Sequence, residues 1–326
     1  MTDRATLHQG VQIGVETTAG TAVAANKKLL ATTIEPAIQA NVDTFRPLGG
    51  KFRTIGAIGK EWTQANISGQ MVYTDIVYLL SSCMNYAAPA QQAATTAYKW
   101  TFSPDQDGVD TVKTYTVETG GSVRAHEVAY GLVTSFGYTI TRDQADIRGT
   151  MMGALLTDGI TMTATPTEIA LQPLLPKQVD VYIDDTAANL GNTQFTRVLS
   201  VDFELSDRFG PVWPLDSSQT SYAAHVETEP SAIFKILVEA DSNGMGLLTQ
   251  LRNGDKRFIR VEATGPLIDS PYTYLFTHDV CGVISNVSEF RDDDGVYAVE
   301  WEFTVTYDAT WTKATQIEVT NAITAL

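Results

Sequence analysis

The stretch that decides the fold consists of Val283-Ile-Ser-Asn-Val-Ser-Glu-Phe290, Arg291-Asp-Asp-Asp-Gly295 and Tyr297-Ala-Val-Glu-Trp-Glu-Phe-Thr-Val-Thr-Tyr307. Its first and last segments alternate between apolar and polar residues, which is the period of a strand with one buried face. The Asp and Gly residues between them tolerate the positive φ that a tight turn requires. The stretch therefore predicts a β-hairpin.

Further segments show the same alternation and are rich in the Val, Ile, Thr, Tyr and Phe that strands favour. They are Thr111–Val117, Val128–Thr141, Asp180–Ile183, Arg197–Leu205, Ala232–Glu239, Arg257–Ala263 and Tyr272–His278. We therefore expect a mainly β protein.

Only two segments carry helix signals. Thr74–Met84 has Thr74 or Asp75 as its cap and an apolar face of Ile76, Leu79, Leu80 and Cys83. Asp241–Leu251 begins at Asp241 or Ser242 and carries several apolar residues. Each is expected to be one helix beside a sheet.

Composition argues against several classes of protein. The chain has 326 residues and a formal net charge of −16, and its only notable basic pair is Lys27-Lys28. Because DNA binding needs a Lys/Arg surface that displaces counterions, a role in gripping DNA is not expected. No apolar run is long enough to span a membrane. Met1–His8 carries no secretion signal, so we expect folding in a cytoplasm.

No pattern of residues predicts catalysis or metal binding. The histidines, His8, His126, His225 and His278, lie in no metal-site spacing. Cys83 and Cys281 are expected to be buried free thiols rather than a disulfide. Asp292-Asp-Asp-Gly295 resembles a calcium loop at first sight, but consecutive aspartates favour a turn. We predict no cofactor, no metal and no enzyme, although acid pairs for glycoside cleavage stay open.

The two halves of the chain carry matching phrases in the same order. Val11-Gln-Ile-Gly-Val-Glu-Thr-Thr-Ala-Gly20 matches Val179-Asp-Val-Tyr-Ile-Asp-Asp-Thr-Ala-Ala188, and Leu30-Ala-Thr-Thr-Ile-Glu35 matches Leu199-Ser-Val-Asp-Phe-Glu204. Ordered matches of this kind indicate an internal duplication.

The matches continue to the end of each half. A long segment, Asn41–Ala65 or Ser206–Glu229, is followed by a strand and a helix, and His126–Thr134 later matches His278–Ser285. The duplication predicts two domains, residues 1–172 and 177–326. The linker Leu171–Pro176 has two prolines, which cannot continue a regular element.

Three features of the sequence together resemble a known family. They are the order of elements, the segment Gly14-Val-Glu-Thr-Thr-Ala-Gly-Thr-Ala-Val-Ala-Ala25, and Val179-Asp-Val-Tyr-Ile-Asp-Asp185 followed by Thr196-Arg-Val-Leu-Ser200. In these features the chain resembles the tail tube proteins of siphophages. The resemblance covers essentially the whole chain. It implies two tandem tail-tube-like β-sandwich or barrel domains, each with one flanking helix and a long extended arm.

The same resemblance implies a role in the virion tail. Tube subunits close rings that stack around a channel through which DNA passes without specific binding. Common members use six single-domain chains, so a duplicated chain implies three chains in a pseudo-sixfold ring. The implied partners are further copies of the chain, a tape measure protein and a tail terminator, with no membrane and with assembly in the host cytoplasm.

Two sets of residues are candidates for these contacts. The arms concentrate aromatic and basic groups that are typical interface anchors, and we predict inter-ring contacts at Phe45, Arg46, Lys51, Phe52, Arg53, Lys60, Trp62, Phe209 and Trp213. An arm folded back on its own domain is the alternative. Three chains carry 3 × (−16) = −48 formal charges. Candidate acids of the channel wall are Asp143, Asp146, Glu289 and Glu300.

Three rival functions stay open at this stage. The first is another virion structural protein, such as a tail terminator or a capsid decoration protein. The second is a carbohydrate-binding β-sandwich, which would need exposed aromatic side chains for stacking, and the third is a hydrolase. Trp100, Trp301 and Trp311 lie within or beside strand segments, which argues against such an exposed cluster.

Overall fold

The computed structural model describes residues 9–326. Met1–His8 lie outside the described residues, and so do the predictions made for His8 and for a secretion signal. The strands of the first half are β1 (Gly10–Val15), β2 (Lys27–Leu29), β3 (Thr32–Phe45), β4 (Ile55–Gln70), β5 (Ala90–Gln91), β6 (Tyr98–Phe102), β7 (Tyr115–Gly120), β8 (Ala125–Thr141), β9 (Ala145–Gly153), β10 (Leu156–Asp158) and β11 (Thr167–Glu168).

The strands of the second half are β12 (Val179–Asp184), β13 (Val198–Ser206), β14 (Phe209–Val212), β15 (Ala224–Glu227), β16 (Ser231–Glu239), β17 (Lys256–Asp269), β18 (Tyr272–Val287), β19 (Arg291–Asp293), β20 (Val296–Val305) and β21 (Thr315–Asn321). The two α-helices are α1 (Ile76–Cys83) and α2 (Leu248–Asn253), and short 3₁₀ turns cover Pro176–Gln178, Ala187–Asn189 and Gly244–Leu247. The prediction of a mainly β protein is confirmed.

Both predicted helices are present, with differences at their starts. Asp75 occupies the N-cap position of α1, but its carboxylate accepts hydrogen bonds from the Ala31 amide (3.0 Å) and the Thr32 hydroxyl (3.2 Å) and none from the helix. All residues of α1 are buried, not one face alone. The second helix is shorter than predicted and follows a 3₁₀ turn, whose first amides donate to Asp241.

Two of the predicted strands merge into one. Tyr272–His278 and Val283–Phe290 were expected as separate strands, but β18 runs through both as far as Val287. Gly282 keeps the pairing continuous, because it lies opposite Arg257 on one side and Val305 on the other. The predicted hairpin after it is confirmed, with Asp294 and Gly295 in its turn at φ values of 52° and 83°.

Eight strands lie side by side in a path that we call the long sheet. Their order is β3, β4, β9, β8, β13, β16, β20 and β18. The first four belong to the first half of the chain and the last four to the second. The halves meet where β8 pairs with β13, Phe136–Thr141 against Ser200–Leu205, and we call this contact the internal joint.

The two halves share the same order of strand pairing. In the first half β1 pairs with β7, β7 with β8, β8 with β9, β9 with β4 and β4 with β3. In the second half the same five pairings join β12, β17, β18, β20, β16 and β13 in that sequence. Even an irregularity recurs, because β8 skips one residue between Val133 and Ser135 and β18 skips one between Ile284 and Asn286.

The alignment of the first strands differs from the one that the sequence suggested. In the first half, His126 on β8 lies opposite Thr119 on β7, and Thr119 lies opposite Val11 on β1. In the second half, His278 on β18 lies opposite Val261 on β17, and Val261 lies opposite Val181 on β12. Val11 therefore corresponds to Val181 and not to Val179. A slip of two residues leaves the alternation of faces unchanged, so the sequence pattern could not reveal it.

One face of the long sheet is buried in a core that both halves share. Tyr138 and Phe203 belong to the same buried cluster as Phe276, Trp301 and Phe303. β21 adds to this continuity, since it pairs with β18 of the second half and with β6 of the first. Cys83 and Cys281 are buried free thiols, as predicted.

Candidate assembly surfaces

The uncovered face of the long sheet is polar across both halves. One row of directly opposed residues crosses seven strands; it consists of Gln70, Asp146, Thr139, Asp202, Lys235, Glu302 and Asn286. Lys235 Nζ lies 2.9 Å from the Glu302 carboxylate, and this hydrogen bond raises the pKa of Lys235. Acids on this face outnumber bases, and they include Glu35, Asp146, Asp202, Glu204, Glu300 and Glu302.

A charge cluster holds the internal joint together on this polar face. The guanidinium of Arg148 on β9 donates to Asp202 on β13 at 2.9 and 3.0 Å and lies 3.4 Å from Glu204. Thr139 on the intervening strand donates to the same Asp202 carboxylate at 2.6 Å. The arginine crosses β8 at Gly137, where no side chain stands between the two groups.

The candidate acids of the channel wall occupy two kinds of position. Asp146 on β9 and Glu300 on β20 lie on the polar face of the long sheet. Asp143 lies in the exposed turn between β8 and β9, and Glu289 lies in the exposed connection between β18 and β19. The four acids are thus spread over both halves of the chain rather than gathered into a cluster.

The first predicted arm is a regular β-ribbon and not an irregular segment. β3 and β4 pair outward from the long sheet as far as Phe45 opposite Ile55, with one shift of the register between Asn41 and Val42. We call residues 37–62 the ribbon. Its exposed apolar side chains are Ile38, Val42, Phe45, Leu48, Phe52, Ile55 and Ile58.

The ribbon carries the predicted basic contact residues on its exposed part. Arg46, Lys51, Arg53 and Lys60 are all exposed, and the ribbon contains only two acids, Asp43 and Glu61. It is therefore locally basic in a chain whose net charge is −16. Leu48 and Phe52 at its tip, with relative exposures of 105% and 81%, touch almost nothing within the chain.

The second predicted arm folds over the first half of the chain. The Trp213 ring packs edge-on against Trp62 at 5.8 Å, and Lys60 Nζ lies 4.9 Å from the centre of the Trp213 ring. Tyr222 donates a hydrogen bond to the backbone carbonyl of Tyr130 at 2.9 Å. Phe209 is buried beside them and is not free for another contact in this structure.

A buried ion pair fixes the root of this second arm. Arg208 donates to the Asp110 carboxylate of the first half and to the carbonyl oxygen of Cys83 at 2.9 Å. The Arg208 and Asp110 side chains are only 3% and 1% exposed. Burial raises the pKa of Asp110, and the charge of Arg208 opposes that shift. The sequence analysis did not identify this pair.

Other chemistry is sparse among residues 9–326. No group of three or more His, Cys, Asp or Glu side chains in that range could hold a metal ion. Trp100 and Trp301 are fully buried, so they offer no stacking surface to a sugar. No helix of the described chain is long and apolar enough to cross a membrane. His278 is buried between the Tyr138 hydroxyl (2.7 Å) and the Thr315 hydroxyl (2.8 Å), consistent with a structural role.

Comparison with known proteins gives no family for this chain. No protein-family model matches it, and a search of the curated proteins finds no match. The arguments about function therefore rest on the surfaces described above.

No motif in the sequence predicts the charge cluster of the internal joint. Arg148 lies on β9 whereas Asp202 and Glu204 lie on β13, and nothing in their sequence spacing brings the two strands together. One signal was present, because an isolated glycine inside a strand segment, here Gly137, indicates close approach of another group.

Proposed function

We propose that this chain is a structural subunit of a bacteriophage tail tube, in which three chains close a pseudo-sixfold ring and the rings stack around a channel for DNA. The observation that carries the proposal is the long sheet. It joins two halves of equal strand order through the internal joint, yet ends at two unpaired edges. Within residues 9–326, no strand covers the outer edge of β3 or the outer edge of β18 beyond Val283.

Unpaired edges of this length favour pairing with another chain, since exposed strand edges are templates for further strands. The edges at the two ends of the long sheet differ, so contact between them is head-to-tail and can close a ring. Three chains of eight strands give a barrel of twenty-four strands. Barrels of 16–18 strands already leave an aqueous channel, so this one leaves a wider opening.

The face that such a barrel turns inward is its polar one, because the other face is buried in the core. Acids outnumber bases on it, and three chains carry −48 formal charges. Phosphates are repelled by such a wall, while the screening length of about 8 Å at physiological salt keeps that repulsion short-ranged. DNA can then pass through without binding.

The ribbon supports the stacking of rings. It presents an apolar strip flanked by Arg46, Lys51, Arg53 and Lys60, whereas the rest of the chain is strongly acidic. A basic, apolar projection is complementary to an acidic neighbouring ring. The second arm contributes less in this scheme, because Phe209 and Trp213 pack within the chain.

The remaining parts of the proposal follow from this role. The chain is not an enzyme and needs no cofactor; its partners are copies of itself, a tape measure protein and a tail terminator. It is assembled in the host cytoplasm and resides in the virion tail. The two halves act as two tandem tube domains, residues 1–172 and 177–326, despite their shared core.

Electron microscopy of the purified protein tests the proposal. Negative-stain images should contain rings or tubes, and symmetry analysis of cryo-images should give threefold rings with a pseudo-sixfold outline. Dispersed single particles at every protein concentration and salt level would contradict a tube subunit. Six full chains in each ring would contradict the three-chain arrangement while leaving a tube intact.

A further inference from the structure

The internal joint provides a template for the joint between chains. It has three parts: paired backbones, an aromatic contact beneath the sheet and a charge cluster above it. Tyr138 and Phe203 make the aromatic contact at 5.8 Å. Arg148, Asp202 and Glu204 make the charge cluster.

The recurring strand pairing identifies which residues occupy the same positions at the two open edges. Thr150 on β9 and Glu302 on β20 are equivalent, so their neighbours Asn66 on β4 and Lys235 on β16 are equivalent too. Glu35, which lies opposite Asn66, therefore corresponds to Asp202, which lies opposite Lys235. Pro36 and Ala37 then correspond to Phe203 and Glu204. The open edge of β3 thus keeps one of the two acids of the internal joint.

At the other open edge, the shared irregularity of β8 and β18 sets the correspondence. Ser288 lies two residues after Asn286, as Gly137 lies two residues after Ser135. The Ser288 amide donates to the Glu300 carbonyl oxygen at 2.9 Å, and the Glu300 amide donates to the Ser288 hydroxyl at 2.9 Å. Glu300 is therefore the neighbour of Ser288 on β20, just as Arg148 is the neighbour of Gly137 on β9. Glu300 therefore stands where the internal joint has its arginine.

A direct copy of the internal joint would place Glu300 of one chain near Glu35 of the next, and two carboxylates repel. Arg291 removes the conflict. Arg291 lies on β19 opposite Ala298, so it occupies the position that Thr139, which lies beside Asp202, has in the internal joint. Its guanidinium lies 3.3 Å from the Glu300 carboxylate of the same chain. Its side chain is exposed at the open edge.

Phe290 completes the comparison. It directly precedes Arg291, at the place on the strand where the internal joint has Tyr138, and its relative exposure is 59%. Tyr138 is fully buried by contact with the second half. An exposed aromatic side chain beside an unpaired strand edge is the anchor expected of an interface that is incomplete in a single chain.

We propose that, in the ring, the β18–β19 edge of one chain pairs with the Glu35–Ala37 edge of a second copy of this chain, with Arg291 bridging its own Glu300 to Glu35 of that copy and Phe290 packing beside Pro36. This inference rests on the proposed ring. It assigns to Arg291 the role that Arg148 has inside the chain.

A charge exchange tests the bridge. Arg291→Glu is expected to lower the assembled fraction about tenfold or more, because it leaves three carboxylates at one contact, and Glu35→Arg is expected to lower it less, because Glu300 offsets part of the repulsion from Arg291. The double variant Arg291→Glu/Glu35→Arg restores the opposite charges and should assemble again. Arg252→Glu changes an exposed arginine on α2 by the same charge and should assemble like the parent. Sedimentation and negative-stain images measure assembly, and thermal unfolding checks that each variant is folded.

A cross-link gives a second measurement that does not depend on charge. Ala37→Cys/Ser288→Cys places thiols at the positions that Glu204 and Gly137 occupy opposite each other in the internal joint, whereas the native thiols of Cys83 and Cys281 are buried. Assembled protein should give chain-to-chain disulfides under oxidation, ending at a trimer on non-reducing gels. Single variants that assemble normally, or an assembled double-cysteine variant with no such cross-link, would overturn the inference. Parent protein that never assembles would instead count against the proposed function.

Discussion

The guanidinium of Arg148 forms a two-point hydrogen bond with the carboxylate of Asp202, although β8 runs between the strands that carry them. The contact exists because Gly137 has no side chain at the crossing. A Cβ atom at residue 137 would lie 2.6 Å from the Phe203 carbonyl oxygen and 3.3 Å from the guanidinium carbon of Arg148. The internal joint therefore depends on a residue that carries no charge.

Gly137→Ala is expected to destabilise the chain by about 1–3 kcal/mol, since the added methyl group must displace backbone of the second half. Denaturant unfolding measures the change in the free energy of unfolding. Gly246→Ala is the matched control, because a Cβ there meets nothing within 4 Å. If the two variants are equally stable, the close packing at Gly137 has no energetic importance.

The buried pair of Arg208 and Asp110 gives a second prediction. Arg208→Ala should cost about 3–5 kcal/mol, because it leaves the Asp110 carboxylate buried without its partner. Urea unfolding followed by tryptophan fluorescence measures this loss. Arg252→Ala, at an exposed site, should stay within about 0.5 kcal/mol of the parent. A similarly small loss for Arg208→Ala would mean that the second arm is held by its aromatic contacts alone.

His278 predicts a dependence of stability on pH. Burial lowers the pKa of His278 from its ordinary 6.5 to about 3. Between these values the unfolded chain binds a proton that the folded chain does not, so stability falls as the pH falls, by about 1.4 kcal/mol per pH unit from this group. Above pH 6.5 the group contributes no slope.

His278→Gln should therefore reduce the slope of the free energy of unfolding between pH 6 and pH 4, even if the variant is less stable at pH 7. Unfolding curves over this range, compared with those of the parent, measure the difference. Arg252→Gln, at an exposed position of α2, serves as the control, because arginine does not titrate in this range, and should retain the slope of the parent. An unchanged slope in His278→Gln would contradict a neutral, buried imidazole.

Shortening the ribbon separates ring closure from stacking. Asn41 and Lys60 are directly opposed, so an Asn-Gly turn can replace residues 42–59 without disturbing the register below them. The protein should remain folded and close rings, but the rings should not stack, because the exposed apolar tip is lost. Electron microscopy should then find single rings in place of tubes. Tubes of normal length from the shortened protein would exclude the ribbon as the stacking element.

The sequence by itself determined the mainly β class, the positions of both helices, the hairpin turn before Val296 and the repeated order of elements. These features depend on local physics. Alternation of apolar residues fixes which side of a strand is buried, and Asp and Gly fix where a chain can turn. Both signals lie within a few residues of the structure that they specify.

Only the tertiary structure decided how the halves are joined. The pairing of β8 with β13, the reach of Arg148 over Gly137 and the contact of Arg208 with Asp110 unite residues that are about 50–100 positions apart in sequence. The register of β1 and β12 was also beyond the pattern, because a strand shifted by two residues presents the same faces. Long-range pairing is selected by the fit of whole surfaces, and that fit appears only when the strands are side by side.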